Sequence, residues 1–250
     1  MKIVRYRVPG NSGYGLLENG QVRALSGRTL SNLEPGGAVY DLADVRLLAP
    51  CRPSKIVALG LNYRSHSEEV KMALPDEPLI FLKPATAVIG PGDAIVYPPS
   101  SQRVDYEGEL GVVIRKRAKR VAVRDAAGYI LGYTCLNDVT ARDLQARDRQ
   151  WTRAKGFDTF APIGPCIETA LDPADVLVET YLNGELRQRA STRDLIFPVA
   201  KLVSFISHVM TLLPGDVIAT GTSSGIGPMQ KGDTVEVRIP PIGSLVNHVK

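Results

Sequence analysis

Residues 104–114, VDYEGELGVVI, are the stretch that decides the fold of this chain. The stretch reads as a buried β-strand because its apolar residues are mostly β-branched or aromatic and no proline interrupts them. Three carboxylates nevertheless alternate through it, at Asp105, Glu107 and Glu109. Side chains on a strand point to alternate faces, so we expect these three acids on one face of the strand.

Three carboxylates on one face of a buried strand need compensation. At about 4 Å they would repel one another by about 4 kcal/mol per pair at an effective dielectric constant of about 20, so they must protonate, separate or bind a cation. Oxygen ligands suit Mg²⁺, Mn²⁺ or Ca²⁺ rather than Zn²⁺. Spacing alone leaves an alternative, in which the acids form the solvated face of an antiparallel strand. A second segment, GYTCLNDVTARD, counts against it, because Asn137-Asp138 again ends an apolar run at the start of a predicted helix.

Length and composition indicate an ordinary globular protein. The 250 residues, 44% apolar and 22% charged, suffice for one large domain, or one large and one small, with a sizeable core. The first 30 residues or so contain no apolar signal region, and no stretch approaches the roughly 20 apolar residues of a membrane span. The three cysteines, Cys51, Cys135 and Cys166, have no CxxC spacing and fit reduced thiols. We therefore expect a cytoplasmic protein without membrane association.

The formal net charge of +4 is modest, and the one dense basic run is RKRAKR at residues 115–120. Such a run can bind nucleic-acid phosphates. Here it directly follows a predicted strand, and a strand-like segment resumes at Val121. We therefore interpret the run as a solvated hairpin tip and expect no nucleic-acid partner.

Turn signals dominate the rest of the chain. Asn19-Gly20 and Asn183-Gly184 each lie between alternating segments, and Asn-Gly favours a two-residue hairpin turn. Pro-Gly-Asp at Pro91 and Pro214, with Lys-Gly-Asp at Lys231, predicts tight turns that lead into strands. The sequence thus predicts a mostly β protein of the α+β class.

Helical patterns are few, at residues 65–74, 138–151 and 199–212. The last is typical of a core helix, and its His208 is interpreted as structural. Residues 1 to about 48 form a β-rich piece that ends at LLAPCRPSK, whose prolines suit a linker. We therefore predict a small N-terminal β-rich domain at 1–50 and a main domain at 51–250.

From GLNYRSHSEE at residue 60 onward, the chain resembles the fumarylacetoacetate hydrolase family. The matching phrases stand in the family's order and are FLKP, DYEGELGVVI, GYTCLNDVTARDLQ, AKGFDTFAPIGP, NGELRQ, PGDVIATGTSSGIG and GSLVNHV. Together they span nearly everything after residue 55. The resemblance implies a mixed β-sandwich roll as the fold of the catalytic domain, a divalent metal (Mg²⁺ or Mn²⁺, with Ca²⁺ as a further option), an anionic 2-oxo or enol acid as substrate, and a homodimer.

The resemblance also implies roles for individual residues. The metal ligands it implies are Glu107, Glu109 and Asp138, and Lys155 in AKGFD matches the family's active-site lysine. Its substrate-binding residues would be Arg142, Gln145, Lys83 and Thr222. The spacing supports two of these, because residues 142 and 145 share one face of a helix. Without the resemblance, a surface salt bridge to a neighbouring aspartate would be the favoured interpretation of Arg142.

In HSEE, His66 and Glu69 are three residues apart and so share a helix face. A carboxylate-oriented imidazole is a good general base for water, although an exposed pair on a solvated helix is the favoured interpretation from spacing alone. The resemblance implies that this segment is a mobile lid that carries a catalytic dyad. The chain departs from the mammalian fumarylacetoacetases, since no fourth carboxylate lies near Asn62 or Tyr63 and none follows Thr222 in GTSSGIGP. This favours the smaller bacterial-type members over cleavage of fumarylacetoacetate itself.

Three functional hypotheses follow. The favoured one is a metal-dependent hydrolase that cleaves the C–C bond of an acylpyruvate-like 2,4-dioxo acid through a metal-bound enolate, with His66 activating water. The alternative uses the same enolate to decarboxylate oxaloacetate or to isomerise 2-hydroxyhepta-2,4-diene-1,7-dioate in aromatic catabolism. The third, from another class, is a basic β-protein that binds polyanions through residues 115–120.

Overall fold

Strands dominate the chain, as the alternation and turn signals predict. The computed structural model describes residues 1–27, 29–30, 32–70 and 73–250. Of Val70 it describes the backbone only. The strands are β1 (Lys2–Val8), β2 (Asn11–Glu18), β3 (Gln21–Ser26), β4 (Glu34–Asp41), β5 (Arg46–Leu48), β6 (Lys55–Leu59), β7 (Ile80–Pro84), β8 (Val88–Ile89), β9 (Ala94–Ile95), β10 (Val104–Tyr106), β11 (Gly108–Ile114), β12 (Ile130–Asn137), β13 (Thr140–Ala141), β14 (Ala161–Glu168), β15 (Leu177–Leu182), β16 (Glu185–Ser191), β17 (Val217–Ala219), β18 (Gly227–Met229), β19 (Thr234–Ile239) and β20 (Gly243–Val249). The helices are α1 (Arg64–Val70), α2 (Arg142–Asp148), α3 (Thr152–Gly156) and α4 (Val199–Val209).

The strands form three sheets. The largest has the order β4-β3-β2-β1-β14-β12-β11-β17-β6-β7, with β5 paired to β1 and β8 to β14. A five-stranded sheet has the order β16-β15-β19-β20-β9, and a three-stranded sheet has the order β13-β10-β18. One apolar cluster joins Val112 of the large sheet to Val178 and Val237 of the five-stranded sheet and to Leu202 of α4. This packing confirms the predicted mostly β sandwich roll.

Residues 104–114 form two strands, β10 and β11, rather than one. β10 pairs with β13 and β18, whereas β11 pairs with β12 and β17, so the chain changes sheets at Glu107. The change is fixed by a side chain, because the Glu107 N–H donates to Asn137 Oδ1 at 3.0 Å while the Asp138 N–H donates to the Glu107 carbonyl at 2.8 Å. The prediction of one continuous strand was therefore wrong, and the period-two inference does not carry from Asp105 to Glu109.

Both predicted Asn-Gly hairpins are confirmed. β2 and β3 are closed by Asn19 and Gly20, with φ of 50° and 76°. β15 and β16 are closed by Asn183 and Gly184, with φ of 53° and 81°. Asparagine and glycine tolerate these left-handed conformations, which match the twist of a hairpin.

The helices differ from the prediction in their bounds. The helix predicted at 138–151 begins only at Arg142, because residues 140–141 pair with β10, and it ends before Arg149, which has a φ of 60°. The helix predicted at 65–74 is present as α1 at Arg64–Val70; residues 71 and 72 lie outside the described part, and residues 73 and 74 are not helical. α4 confirms the predicted core helix but ends at Val209 rather than at residue 212, and its exposed His208 ring lies 2.9 Å from the Ser204 carbonyl.

The basic run at 115–120 is exposed except for Ala118, as expected. It is not a tight hairpin tip, because Ala118 forms a bridge with Leu212 and the chain then enters a 3-10 helix at Val123–Tyr129. The strand predicted to resume at Val121 was therefore wrong.

The N-terminal strands extend the large sheet. β1 pairs with β14 through Lys2↔Glu168 and Ile3↔Ile167. The division into domains at residues 1–50 and 51–250 stays a prediction. Among the described residues, no helix is long and apolar enough to cross a membrane.

Candidate metal centre and active site

Three buried carboxylates converge where β10, β11 and β12 meet. Glu107 lies between β10 and β11, Glu109 lies on β11, and Asp138 follows the end of β12. One oxygen from each lies within 4.8 Å of the other two. Asp105 is not part of this cluster, since its carboxylate accepts hydrogen bonds from Arg103 and Arg142.

Two buried ammonium groups compensate the cluster. Lys155 Nζ on α3 donates to Glu107 Oε2 at 2.9 Å and to Asp138 Oδ2 at 2.6 Å. Lys83 Nζ on β7 donates to Asp138 Oδ1 at 2.5 Å and to the Val139 carbonyl at 3.1 Å. Burial opposes both charges and lowers the pKa of Lys83, whereas Asp138 and Glu107 outweigh it and raise the pKa of Lys155. Both predicted lysines thus lie at the site, but Lys83 is held behind Asp138.

Arg142 and Gln145 share one face of α2, as their spacing predicts. The Arg142 guanidinium donates to Asp105 Oδ2 at 2.9 Å, to Gln145 Oε1 at 2.6 Å and to Glu107 Oε1. Its side chain is 23% exposed. The alternative of a salt bridge to an aspartate is thus correct in part: the partner is Asp105, whose side chain is fully buried, so the pair is not a surface pair.

The carboxylates of the cluster differ in their electrostatics. Burial opposes ionisation of Glu107, but Lys155 and Arg142 hold the pKa of Glu107 well below its usual range. Burial, and then Asp138 and Glu107, raise the pKa of Glu109. Glu109 Oε2 accepts from the Gly221 N–H at 2.8 Å, whereas Oε1 has no hydrogen-bond partner among the described residues. Three hard oxygen donors, one of them buried without a partner, fit a divalent cation of the Mg²⁺ or Mn²⁺ type.

Unsatisfied polar atoms concentrate around this cluster. Within the described residues, four buried side-chain atoms lack a hydrogen-bond partner, namely Tyr63 Oη, Glu109 Oε1, Asn137 Nδ2 and Thr180 Oγ1. Burial and then the charge of Glu109 raise the pKa of Tyr63. Asn137 holds the Glu107 N–H through its Oδ1. Buried polar groups are normally paired, so this concentration is typical of a ligand site.

A second layer fixes the glycine between the two glutamates. Gln188 Oε1 accepts from the Gly108 N–H at 2.9 Å, and Thr222 Oγ1 donates to the Gly108 carbonyl at 3.0 Å. Gln188 Nε2 also donates to Thr222 Oγ1 at 2.8 Å. Thr222 therefore lies at the site with its hydroxyl engaged by the protein, and its substrate-binding role stays a prediction. The sequence analysis missed Gln188, although it ends the quoted phrase NGELRQ.

The predicted dyad is formed on α1. His66 Nδ1 lies 2.9 Å from Glu69 Oε2, and Glu69 Oε1 accepts from the Gly225 N–H at 2.9 Å. His66 is only 7% exposed. The alternative of an exposed pair on a solvated helix is therefore correct for Glu69, which is exposed, but wrong for His66, which is buried.

Comparison with known proteins identifies the family of this chain. Residues 55–250 match the family Fumarylacetoacetate (FAA) hydrolase C-terminal, and residues 1–50 match the family Rv2993c-like, N-terminal. The chain belongs to the fumarylacetoacetate hydrolase family. Its members are enzymes, among them isomerases, hydrolases and tautomerases, and they bind a divalent metal.

Relatives of known description carry out several reactions. A structure of 5-carboxymethyl-2-hydroxymuconate delta-isomerase from Mycobacterium smegmatis is 45% identical, with a TM-score of 0.94, and covers 100% of this chain and 99% of that one. The Bos taurus oxaloacetate tautomerase FAHD2B, mitochondrial, is 41% identical over 84% of this chain and 71% of its own. A maleylpyruvate hydrolase from Sphingobium, solved with manganese(II) and pyruvate, is 30% identical, with a TM-score of 0.82, over 100% and 98% of the two chains.

Proposed function

We propose that the protein is a divalent-metal-dependent enzyme that moves a proton at C3 of a dianionic 2-oxo acid, as a tautomerase or isomerase. The observation that carries the proposal is the buried cluster of Glu107, Glu109 and Asp138, with Glu109 Oε1 left without a partner. When bound there, Mg²⁺ or Mn²⁺ would supply a Lewis acid that stabilises the enolate of a 2-oxo acid.

The charge of the site supports a dianionic substrate. Four carboxylates, of Asp105, Glu107, Glu109 and Asp138, give −4 when ionised, and the four cations of Lys83, Lys155, Arg103 and Arg142 give +4. The sum is zero, so a divalent cation would leave +2. That charge neutralises a substrate with two carboxylates, such as a 2-oxo dicarboxylic acid.

The cations differ in the number of N–H donors that remain free for a substrate. Lys155 spends two of its three N–H donors on Glu107 and Asp138, and we assign the third to the substrate. Arg142 has five N–H donors and three acceptors among protein groups, so it can bind a carboxylate of the substrate. We assign Lys83 to fixing Asp138 rather than to the substrate.

His66 is the group proposed to carry the proton. Its Nδ1 is hydrogen-bonded to Glu69, which leaves Nε2 to accept or return a proton at C3 of the substrate. Glu69 also accepts from Gly225, so the ring orientation depends on docking of α1.

Hydrolysis of a C–C bond, favoured by the sequence analysis, is the second candidate. The same His66–Glu69 pair would remove a proton from water, and a maleylpyruvate hydrolase is among the similar structures. Proton transfer takes first place because the named isomerase and tautomerase are 41–45% identical, against 38% for a fumarylacetoacetate hydrolase from Exiguobacterium antarcticum and 30–31% for the maleylpyruvate hydrolase structures. Decarboxylation of oxaloacetate would use the same enolate.

Ultraviolet absorbance of enol oxaloacetate distinguishes these reactions. We expect Mn²⁺ to support faster enol–keto conversion, EDTA to abolish the enzymatic rate, and pyruvate to form no faster than it does without enzyme. Rapid cleavage of acylpyruvates by a protein that leaves the oxaloacetate enol unchanged would instead support the hydrolase. Activity undiminished by EDTA would contradict the metal-dependent chemistry.

We make two further proposals, a homodimer from the family resemblance and a cytoplasmic location from the composition. We propose a homodimer, which sedimentation would show as a species of about 54 kDa, twice the 27.0 kDa of one chain; a 27.0 kDa species at micromolar concentration would contradict it. We also propose a cytoplasmic location, which cell fractionation would test.

A further inference from the structure

A cavity separate from the metal centre lies beside the first two strands. It measures about 360 Å³ and is lined by Arg5, Ser12, Gly13, Tyr14, Gly27 and Arg52. None of these residues belongs to the metal centre or to α1, and none is acidic. Its size falls in the range of small-ligand pockets, which is about 300–1,000 Å³.

Arg5 is built into the fold at the base of this cavity. It lies on β1 opposite Tyr14 of β2, and its Nη1 donates to the Ala49 carbonyl at 2.8 Å. Among the residues that the structure describes, that carbonyl is the one acceptor of its guanidinium, which has five N–H donors. A fixed guanidinium with free donors is suited to bidentate recognition of a phosphate or carboxylate.

Among the described residues that line it, the cavity holds the two cations of Arg5 and Arg52 and no carboxylate. In the described part of the chain, neither Arg5 nor Arg52 forms an ion pair, whereas the nearby Arg46 pairs with Asp93 at 2.6 Å. The two like charges line one cavity and therefore repel each other, and burial and then the charge of Arg52 lower the pKa of Arg5. An anion between them would remove this repulsion.

An apolar recess adjoins the two arginines. It shares Tyr14 and Arg52 with the first cavity and measures about 450 Å³. Leu30, Leu213 and Pro214 supply its apolar surface. A ligand that fills both spaces therefore has a charged head and a short apolar body.

We propose that this pair of cavities is a second ligand site, which binds a small amphipathic anion. Its phosphate or carboxylate lies between Arg5 and Arg52, and its apolar body lies against Leu30, Leu213 and Pro214. The site is independent of the proposed catalytic function, because it shares no residue with the metal centre.

Calorimetry in EDTA tests the site with three probes: inorganic phosphate, butyl phosphate and hexanoate. We expect butyl phosphate or hexanoate to bind with a millimolar Kd and more tightly than inorganic phosphate, and the tighter of the two identifies the head group. Arg52→Ala should weaken binding at least about tenfold. Arg23→Ala removes the same charge from an exposed position on β3 outside the cavity and should bind as wild type does.

Two further variants separate the possible failures. Arg5→Met should also weaken binding. Arg52 is exposed, so Arg52→Ala should fold and still test the site if Arg5→Met does not fold. Glu107→Ala, at the metal centre, should bind the probes as wild type does. No binding of any probe at about 20 mM, equal binding by Arg52→Ala and wild type, or loss of binding in Glu107→Ala would each overturn the proposal.

Discussion

Replacing Gly108 by alanine should disrupt the metal centre through a collision with Thr180. An alanine Cβ at this position would lie 1.9 Å from Thr180 Oγ1, 3.3 Å from Thr180 Cβ and 3.4 Å from Gln188 Oε1. Thr180 is fully buried on β15, which is paired on both sides, so it cannot move aside easily. Relief of this overlap needs a shift of more than about 1 Å, and such overpacking costs about 1–3 kcal/mol or more. Because Gly108 separates Glu107 from Glu109, the shift would also displace the carboxylates.

The same contact predicts a rescue. Thr180→Ala removes Oγ1, which has no hydrogen-bond partner in the described structure, together with the buried Cγ2 methyl, so this change alone should cost about 1 kcal/mol, mostly from the lost methyl. In the double variant, the nearest remaining Thr180 atom would be the Cβ at 3.3 Å, and both stability and Mn²⁺ binding should largely return. Gly128→Ala is the matched control, since its new Cβ would have no heavy atom within 4 Å.

Urea unfolding and Mn²⁺ calorimetry measure both effects. The single tryptophan, Trp151, gives an optical signal close to the site, because its ring lies 5.2 Å from that of Phe81, over which Lys155 lies at 5.0 Å. Wild-type Mn²⁺ affinity in Gly108→Ala would refute the steric explanation. A double variant with stability and Mn²⁺ affinity no higher than those of Gly108→Ala would also refute it.

The remaining predictions concern proton transfer, stability and thiol reactivity. His66→Ala should lower turnover about 10²–10⁴-fold at unchanged Mn²⁺ affinity, the usual contribution of a general acid–base group; unimpaired turnover would leave α1 as a lid only. Asp216→Ala should lower the free energy of unfolding, measured in urea, by about 3–5 kcal/mol, because the buried Asp216 carboxylate accepts hydrogen bonds from Ser54 and Lys55. A loss under about 1 kcal/mol would contradict this prediction. Burial opposes ionisation of Asp216, but these partners lower its pKa, so its stabilisation is present above about pH 3.9 and is lost as the pH falls through the folded-state pKa. Burial raises the pKa of Cys51 to about 12, so a thiol reagent at about pH 8 should label it only after unfolding.

The convergence of Glu107, Glu109 and Asp138 could be predicted from the sequence, because acids in an apolar stretch are costly and the family phrases include all three; their role as metal ligands stays a proposal. The prediction failed at Asp105, since it assumed that one strand continues through Glu107. The break depends on the Asn137 side chain, which replaces a ladder partner for the Glu107 N–H. The shortened start of α2 has a similar cause, because pairing of residues 140–141 with β10 overrides their helical pattern.

The surroundings of the ligands could not be predicted, because they come from distant segments. Tyr63, Thr180 and Gln188 reach the site only through packing of the five-stranded sheet and the segment before α1. The His66–Glu69 contact follows from helical spacing, but its docking onto Gly225 is a long-range hydrogen bond across 156 residues. Sequence periodicity carries no information about such contacts.

The central claim is that Glu107, Glu109 and Asp138 hold a divalent cation. Glu109 tests it most directly, because its Oε1 has no hydrogen-bond partner among the described residues. The measurement is calorimetric titration of Mn²⁺ into the wild type, Glu109→Gln and, as a control, Glu185→Gln at an exposed position. We expect a single site per chain in the wild type and the control, and binding at least about a hundredfold weaker in Glu109→Gln. Equal Mn²⁺ affinity in Glu109→Gln and the wild type would contradict the metal centre.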